Sequence, residues 1–225
     1  MKIKIYVIHY KKLIERKNYI LNKFNELNIN DFEFISLDRD EINLYDYYPY
    51  FSDNYIHRRP NVAIISSHLL AYSKIANLNE YDAGLILEDD AILDDDFNEK
   101  FKNCLNQLPQ SFDLLFIGNG CNLHIQKEFI KDDILVYKKG SEITDWGGNG
   151  ITRCMDSYIV SRKCATTVCN YIENIVRREI NKKINYNSDW WFNIVGRDCN
   201  LEAYWIEPTI VTQGSFNSLF KCSYT

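Results

Sequence analysis

At 225 residues, 46% of them apolar and 25% charged, the chain has the makeup of a globular protein and enough length to bury a large core. Its formal charge of −5 argues against a nucleic-acid partner, which would demand a basic face. Seven cysteines without a C-x-x-C pair, four scattered histidines and no apolar run of about 18 residues exclude a disulfide framework, a zinc spacing and a transmembrane segment. Together they suggest a cytoplasmic protein, soluble or peripheral to a membrane.

Residues 2–8 alternate as a strand, with Ile3, Ile5 and Val7 on one side, and the interrupting lysines make a signal peptide a poor reading. Between residues 11 and 27, Leu13, Ile14, Ile20, Leu21, Phe24 and Leu27 recur at helical spacing. Residues 32–37 read as a second strand, and the tyrosine-rich stretch 45–55, which has no clean period, reads as a loop. Pro60 suits the first turn of a helix whose inner face carries Val62, Ile65, Leu69, Tyr72 and Ile75 or Ala76. An apolar strand at 83–87 follows and ends in Glu88-Asp89-Asp90.

Further on, Asp94-Asp95-Asp96 leads into a helix from Phe97, and residues 112–117 form another buried strand. A weak strand is expected at 134–137, then a glycine-rich loop at 146–150 and a strand at 157–160. A long helix starts near Arg162, Ser188 opens a short one, and residues 203–212 hold one or two last strands around Pro208. Strands alternating with helices predict an α/β fold, with a Rossmann-like first half and one domain over 1–225. Ligands of such sheets bind beyond the carboxyl ends of the strands, where Glu88-Asp89-Asp90 falls.

Two readings of that acidic cluster compete. Asp favours helix caps and first turns, an account that suits Asp94-Asp95-Asp96. It suits Glu88-Asp89-Asp90 poorly, because these follow a core strand directly and precede Ala91-Ile92-Leu93. Hard cations such as Mn²⁺ or Mg²⁺ take one or two carboxylates and leave other positions to water and phosphate oxygens. Position and chemistry therefore favour a metal–diphosphate site.

With these segments in place, the chain resembles glycosyltransferase family 25, which includes lipooligosaccharide and procollagen β-galactosyltransferases. The resemblance runs from about Tyr6 to Ser215. It is carried by Ser67-His68, by Leu87 to Ala91 with Phe97 after it, and by the segments 112–118 and 157–165. Asp189-Trp190, Pro208 with Gln213-Gly214-Ser215, Glu15-Arg16 and the stretch 33–38 complete it. The chain departs from the family at His9-Tyr10, where Asn-Leu is usual, at residues 61–64, and at Cys164, where glycine is usual.

The resemblance implies a GT-A-like fold with a mostly parallel central sheet flanked by helices. It also implies a donor-nucleotide half over about 1–120 and an acceptor half over about 121–225. The reaction implied is inverting transfer of a hexose from UDP-galactose, UDP-glucose or UDP-N-acetylglucosamine to a glycan or hydroxylysine acceptor, with Mn²⁺ or Mg²⁺. A catalytically silent sugar-nucleotide or glycan-binding relative is the rival reading. The residues expected to carry the chemistry are Asp90 and Glu88 on the metal. Ile8, Arg16, Asp38, Ser67, His68, Glu88, Asp89 and Gln213 are expected around the donor. Asp189 is the candidate general base, and Trp190 and Trp191 are candidate walls for the acceptor sugar. Structural readings compete: Asp189 could complement a helix dipole above two core tryptophans, and His68 could be a hydrogen-bonded structural histidine. Gly147, Gly148 and Gly150 could let a lid close, or form a plain turn.

Overall fold

The computed structural model describes residues 1–139, 150–215 and 219–220. Gly147 and Gly148 of the expected lid lie outside the described residues; Gly150 lies within them, at φ +86°. The chain opens with β1 (Ile3–Ile8), α1 (Ile14–Glu26) and β2 (Phe32–Ile35), followed by α2 (Arg59–Ala76) and β3 (Ala83–Glu88). Pro60 stands in the first turn of α2, where a missing N–H costs nothing. A three-residue strand that sequence reading did not find, β4 (Ala91–Leu93), follows the acids and precedes α3 (Phe97–Gln107).

The second acidic triplet precedes α3 as expected, yet Asp96 makes no side-chain cap bond. Asp94 and Asp96 instead pair with Lys100 at 2.7 and 2.9 Å, and Asp95 pairs with Lys23 of α1. The remaining elements are β5 (Leu114–Phe116), β6 (Val136–Lys138), β7 (Ser157–Ser161), α4 (Arg162–Tyr171), α5 (Ser188–Asp198), β8 (Ala203–Ile206) and β9 (Val211–Gln213). Ser161 caps α4 by accepting from the Cys164 N–H at 3.1 Å.

Among the described residues the main sheet has seven strands in the order β2-β1-β3-β7-β5-β8-β6, and β4 pairs with β9 in a small second sheet. β1 runs parallel to β2 and β3, and β5 parallel to β8, while β7 and β6 run the other way. The mostly parallel α/β architecture expected from the sequence is the one found. Alternation along each strand splits the core in two. Tyr6, Ile8, Ile86, Tyr158 and Val160 pack with residues of α2, α4 and α5. Val7, Leu85, Leu87 and Ile159 pack on the other face with residues of α1 and α3.

Strand order reverses at β1: the chain leaves it through α1 to reach β2 on one side, then returns through α2 to β3 on the other. The carboxyl ends of β1 and β3, where Ile8 faces Glu88, thus flank a crevice of the kind in which such sheets bind ligands. The tyrosine-rich stretch is irregular, as expected. It is anchored by a bridge from Phe51 to Ile184, with Phe51 and Tyr55 buried and Tyr45 exposed.

Candidate active site

A cleft opens at this crevice. Ile8, His9 and Tyr10 line it from the end of β1, Arg16 from α1, Leu37 and Arg39 from beyond β2, and Asn61 and Ser67 from α2. Glu88, Asp89 and Asp90 form one side, with Gln213 and Ser215 beside them. Of the residues expected around the donor and metal, Ile8, Arg16, Ser67, Glu88, Asp89, Asp90 and Gln213 come together here.

The three consecutive acids have three different environments. Asp89 is turned into the protein: Arg16 Nη1 donates to its Oδ1 at 2.8 Å, the Tyr10 N–H donates to its Oδ2 at 3.1 Å, and His9 Nδ1 lies 2.9 Å from the same oxygen. The departure at His9-Tyr10 is therefore part of a buried clamp on Asp89. Asp90 is 3% exposed, and its Oδ2 accepts from Ser215 Oγ while, among the described residues, its Oδ1 has no partner. Burial pushes its carboxyl above the usual range. Glu88 is raised further, by burial and then by the charges of Asp90, Asp156 and Asp89, with Arg16 opposing them.

His68 does not line the cleft. Its ring is fully buried behind Glu88, with Nδ1 2.9 Å from the Tyr158 hydroxyl and Nε2 3.3 Å from Glu88 Oε1. Burial holds it neutral, with a pKa of about 3. The expected donor contact is thus replaced by a structural one that positions Glu88. Ser67 reaches the cleft, but its hydroxyl donates to the Ala63 carbonyl one helical turn back. Asp38 is buried in the turn after β2, where its Oδ1 accepts from the Asp40 N–H; the cleft is lined by its neighbours Leu37 and Arg39 instead.

Asp189, Trp190 and Trp191, on the first turn of α5, do not line the cleft, but that turn is tied to Asn61, which does. Asn61 Nδ2 and the Tyr55 hydroxyl both donate to Asn187 Oδ1, at 2.8 and 2.9 Å, which ties that turn to the start of α2. Asp189 is partly exposed there, and its carbonyl accepts from Thr152 Oγ1. Trp190 is 62% exposed, whereas Trp191 is 2% exposed and packs edge-on against Phe192. The expectation that both indoles wall an acceptor is corrected on this point: successive helical residues diverge by about 100°, and the core takes Trp191.

Sequence reasoning missed Asp156. It is 1% exposed just before β7, its carbonyl accepts from the Glu88 N–H at 2.7 Å, and among the described residues its Oδ1 has no partner. Burial pushes its carboxyl up to about 7. Gln213 Oε1 is likewise buried without a partner among the described residues. It stands on β9 opposite Ala91, one residue beyond Asp90. Among the described residues no three His, Cys, Asp or Glu side chains form a ready-made cage. Mg²⁺-like ions do not need one, because one or two carboxylates suffice when phosphate oxygens and water fill the other positions. Oxygen donors with vacant lone pairs at Asp90 and Gln213, beside Glu88, suit such an ion.

Among the described residues no helix is long and apolar enough to cross a membrane. No curated protein matches the chain in sequence. Solved structures similar to it include A197 from STIV, at 12% identity over 94% of this chain and 83% of that one, with a TM-score of 0.43. A mutant of Drosophila β1,4-galactosyltransferase 7, in complex with manganese, UDP-Gal and xylobiose, is 11% identical over 100% and 78% of the two chains, with a TM-score of 0.44. Mouse xyloside xylosyltransferase 1 in its apo form is 10% identical over 87% and 69%, with a TM-score of 0.42. The sequence itself matches glycosyltransferase family 25, described as an LPS biosynthesis protein, over residues 2–192. With most of its length matched, and with its acids at the carboxyl end of a mostly parallel sheet, the chain belongs to glycosyltransferase family 25.

Proposed function

We propose that this glycosyltransferase moves a hexose from a UDP-sugar to a hydroxyl of a glycan or hydroxylysine acceptor, with inversion and with Mn²⁺ or Mg²⁺ as cofactor. The observation that carries the reading is the unpartnered, buried oxygen of Asp90 beside Glu88 in a cleft at the ends of β1 and β3. A diphosphate entering that cleft would be repelled by those acids unless a cation stood between them. When bound, the cation supplies Lewis-acid stabilisation of the departing diphosphate, worth several kcal/mol.

In this proposal Asp90 and Glu88 hold the cation, and Gln213 offers it an amide oxygen. Asp89, clamped by Arg16 and His9, fixes the loop after β1 against the acids. Ile8 and Leu37 give the nucleotide an apolar wall. His68 keeps Glu88 in place from behind. On the acceptor side, Trp190 offers its exposed face to a sugar ring and Asp189 takes the proton from the attacking hydroxyl, a role typically worth about 10²–10⁴-fold in rate. The 225 residues act as one unit, with the donor held mainly by residues before about 120, joined by Gln213 from the end of the chain, and the acceptor by later ones.

The test is UDP release from UDP-galactose, UDP-glucose and UDP-N-acetylglucosamine, each with a panel of glycan and hydroxylysine acceptors, with Mn²⁺ or with EDTA. Release is expected with the cation and not with EDTA; undiminished turnover in EDTA would remove the metal role. Asp189→Asn is expected to keep donor binding and lose transfer by about 10²-fold or more. Parallel loss of both would make Asp189 structural.

A further inference from the structure

The pairing of β3 with β7 puts a second acid against the cluster. In that antiparallel ladder Ile86 faces Tyr158 and Leu87 faces Ser157, so the next position sets Glu88 against Asp156, and the Glu88 N–H donates to the Asp156 carbonyl at 2.7 Å. Residues opposite one another in such a ladder project from the same face, and two like charges placed so repel. The face is that of Ile86 and Tyr158, on which His68 reaches both Tyr158 and Glu88.

Asp156 has been given room. A Cβ at Gly118 would lie 2.0 Å from Ser157 Oγ and 2.2 Å from Asp156 Oδ2, and one at Gly120 would lie 2.3 Å from Asp156 Oδ1 and 2.7 Å from the Arg153 carbonyl, so a side chain at either position would displace the carboxylate among its neighbours. Gly118 also bridges to Val211 of β9, the strand that carries Gln213. Ser157 Oγ donates to Asp156 Oδ2 at 2.8 Å, which leaves Oδ1 as the buried atom without a partner. Arg153, three residues away, does not answer this charge directly: its guanidinium donates to the Leu123 and Ile206 carbonyls and to Glu207.

Buried carboxylates are stable when something cationic compensates them, by pairing or by metal coordination. Asp89 has Arg16, and among the described residues Asp156 has nothing comparable among its hydrogen bonds. We propose that Asp156 belongs to the cation site, supplying negative charge to the divalent ion from across the ladder opposite Glu88. The inference rests on the metal-dependent reading above and extends it to a residue outside the Glu88-Asp89-Asp90 run.

The experiment is titration of Mn²⁺ into the full chain in the presence of UDP, by calorimetry or by the electron paramagnetic resonance of free Mn²⁺, beside melting curves of the metal-free protein. Asp156→Asn keeps the shape and the Ser157 contact and removes the charge. The expected result is Mn²⁺ binding weakened about tenfold or more, with a metal-free melting temperature at or above that of the wild type. Asp156→Ser should weaken Mn²⁺ binding likewise. A folded Asp156→Asn protein that binds Mn²⁺ as tightly as the wild type would overturn the assignment. So would metal-free melting temperatures lowered in both variants with Mn²⁺ affinity retained, because the carboxylate would then serve packing alone. Wild-type protein that takes up no Mn²⁺ with UDP present would remove the metal reading itself, a different failure.

Discussion

Asp89 spends both carboxylate oxygens inside the protein, on Arg16, the Tyr10 N–H and His9, while its neighbour Asp90 keeps one oxygen without a partner among the described residues. The two should therefore respond oppositely to loss of charge. Asp89→Ala removes the anion that faces a buried guanidinium, and breaking a buried pair from one side typically costs about 3–5 kcal/mol. Asp90→Asn removes a carboxylate whose burial is only partly compensated, so its melting temperature should hold or rise while cation-dependent turnover disappears. Thermal melts and UDP-release assays on the two variants check this; a stable Asp89→Ala protein or a destabilised Asp90→Asn protein would reverse the division of labour. The sequence showed that an acidic run follows a core strand. It could not show which acid faces inward, because that depends on Arg16, which stands 73 residues earlier on α1.

Elements long enough to repeat a pattern were legible in the chain. The apolar stripe of α2 and the apolar run of β3 both stand where their periodicity put them. β4 and β9 escaped notice as a pair because three residues carry no period, and their partner strand lies about 120 residues away. Asp156 escaped for a related reason: only the β3–β7 register shows that it faces Glu88. A further tie between elements has the same long-range character. Arg153, just before β7, donates to Glu207, just after β8, at 2.8 Å. Burial pushes the Glu207 carboxyl up, but the Arg153 hydrogen bond and charge, with hydrogen bonds from His124 and the Ile125 N–H, together outweigh it and leave the group below its ordinary value. A depressed carboxyl stabilises the fold above its unfolded pKa of 4.5, and that contribution is lost as the pH falls through the lower, folded value. Glu207→Gln should remove this acid sensitivity and cost about 3–5 kcal/mol near neutrality, since Arg153 stays buried without its anion. Denaturant melts at pH 7 and pH 3 measure both effects; a gap between the variant and the wild type that stays equal at the two pH values would show that the ion pair does not set the pH dependence.

At the scale of the molecule, the cleft is assembled from segments that share no stretch of sequence: the ends of β1 and β3, the start of α2, one side of α1 and the residues around β9. A ligand seated there contacts both halves of the chain, so occupancy should register as global stability. Ligand at 100 times its Kd adds about 2.7 kcal/mol to the folded state. For a chain of this size each kcal/mol raises the melting temperature by about 2–4 °C, so saturating UDP with Mn²⁺ should raise it by about 5–11 °C. The cation and the nucleotide should also depend on each other. On the proposed reading, Glu88 and Asp90 repel a diphosphate when no cation is bound, and the diphosphate supplies oxygens that the protein alone does not. Reciprocity of linkage then requires UDP to tighten Mn²⁺ binding by the same factor by which Mn²⁺ tightens UDP binding. Melting curves with UDP alone, Mn²⁺ alone and both together test this directly. A combined shift larger than the sum of the two single shifts is expected, and strict additivity would mean that cation and diphosphate do not meet in this cleft.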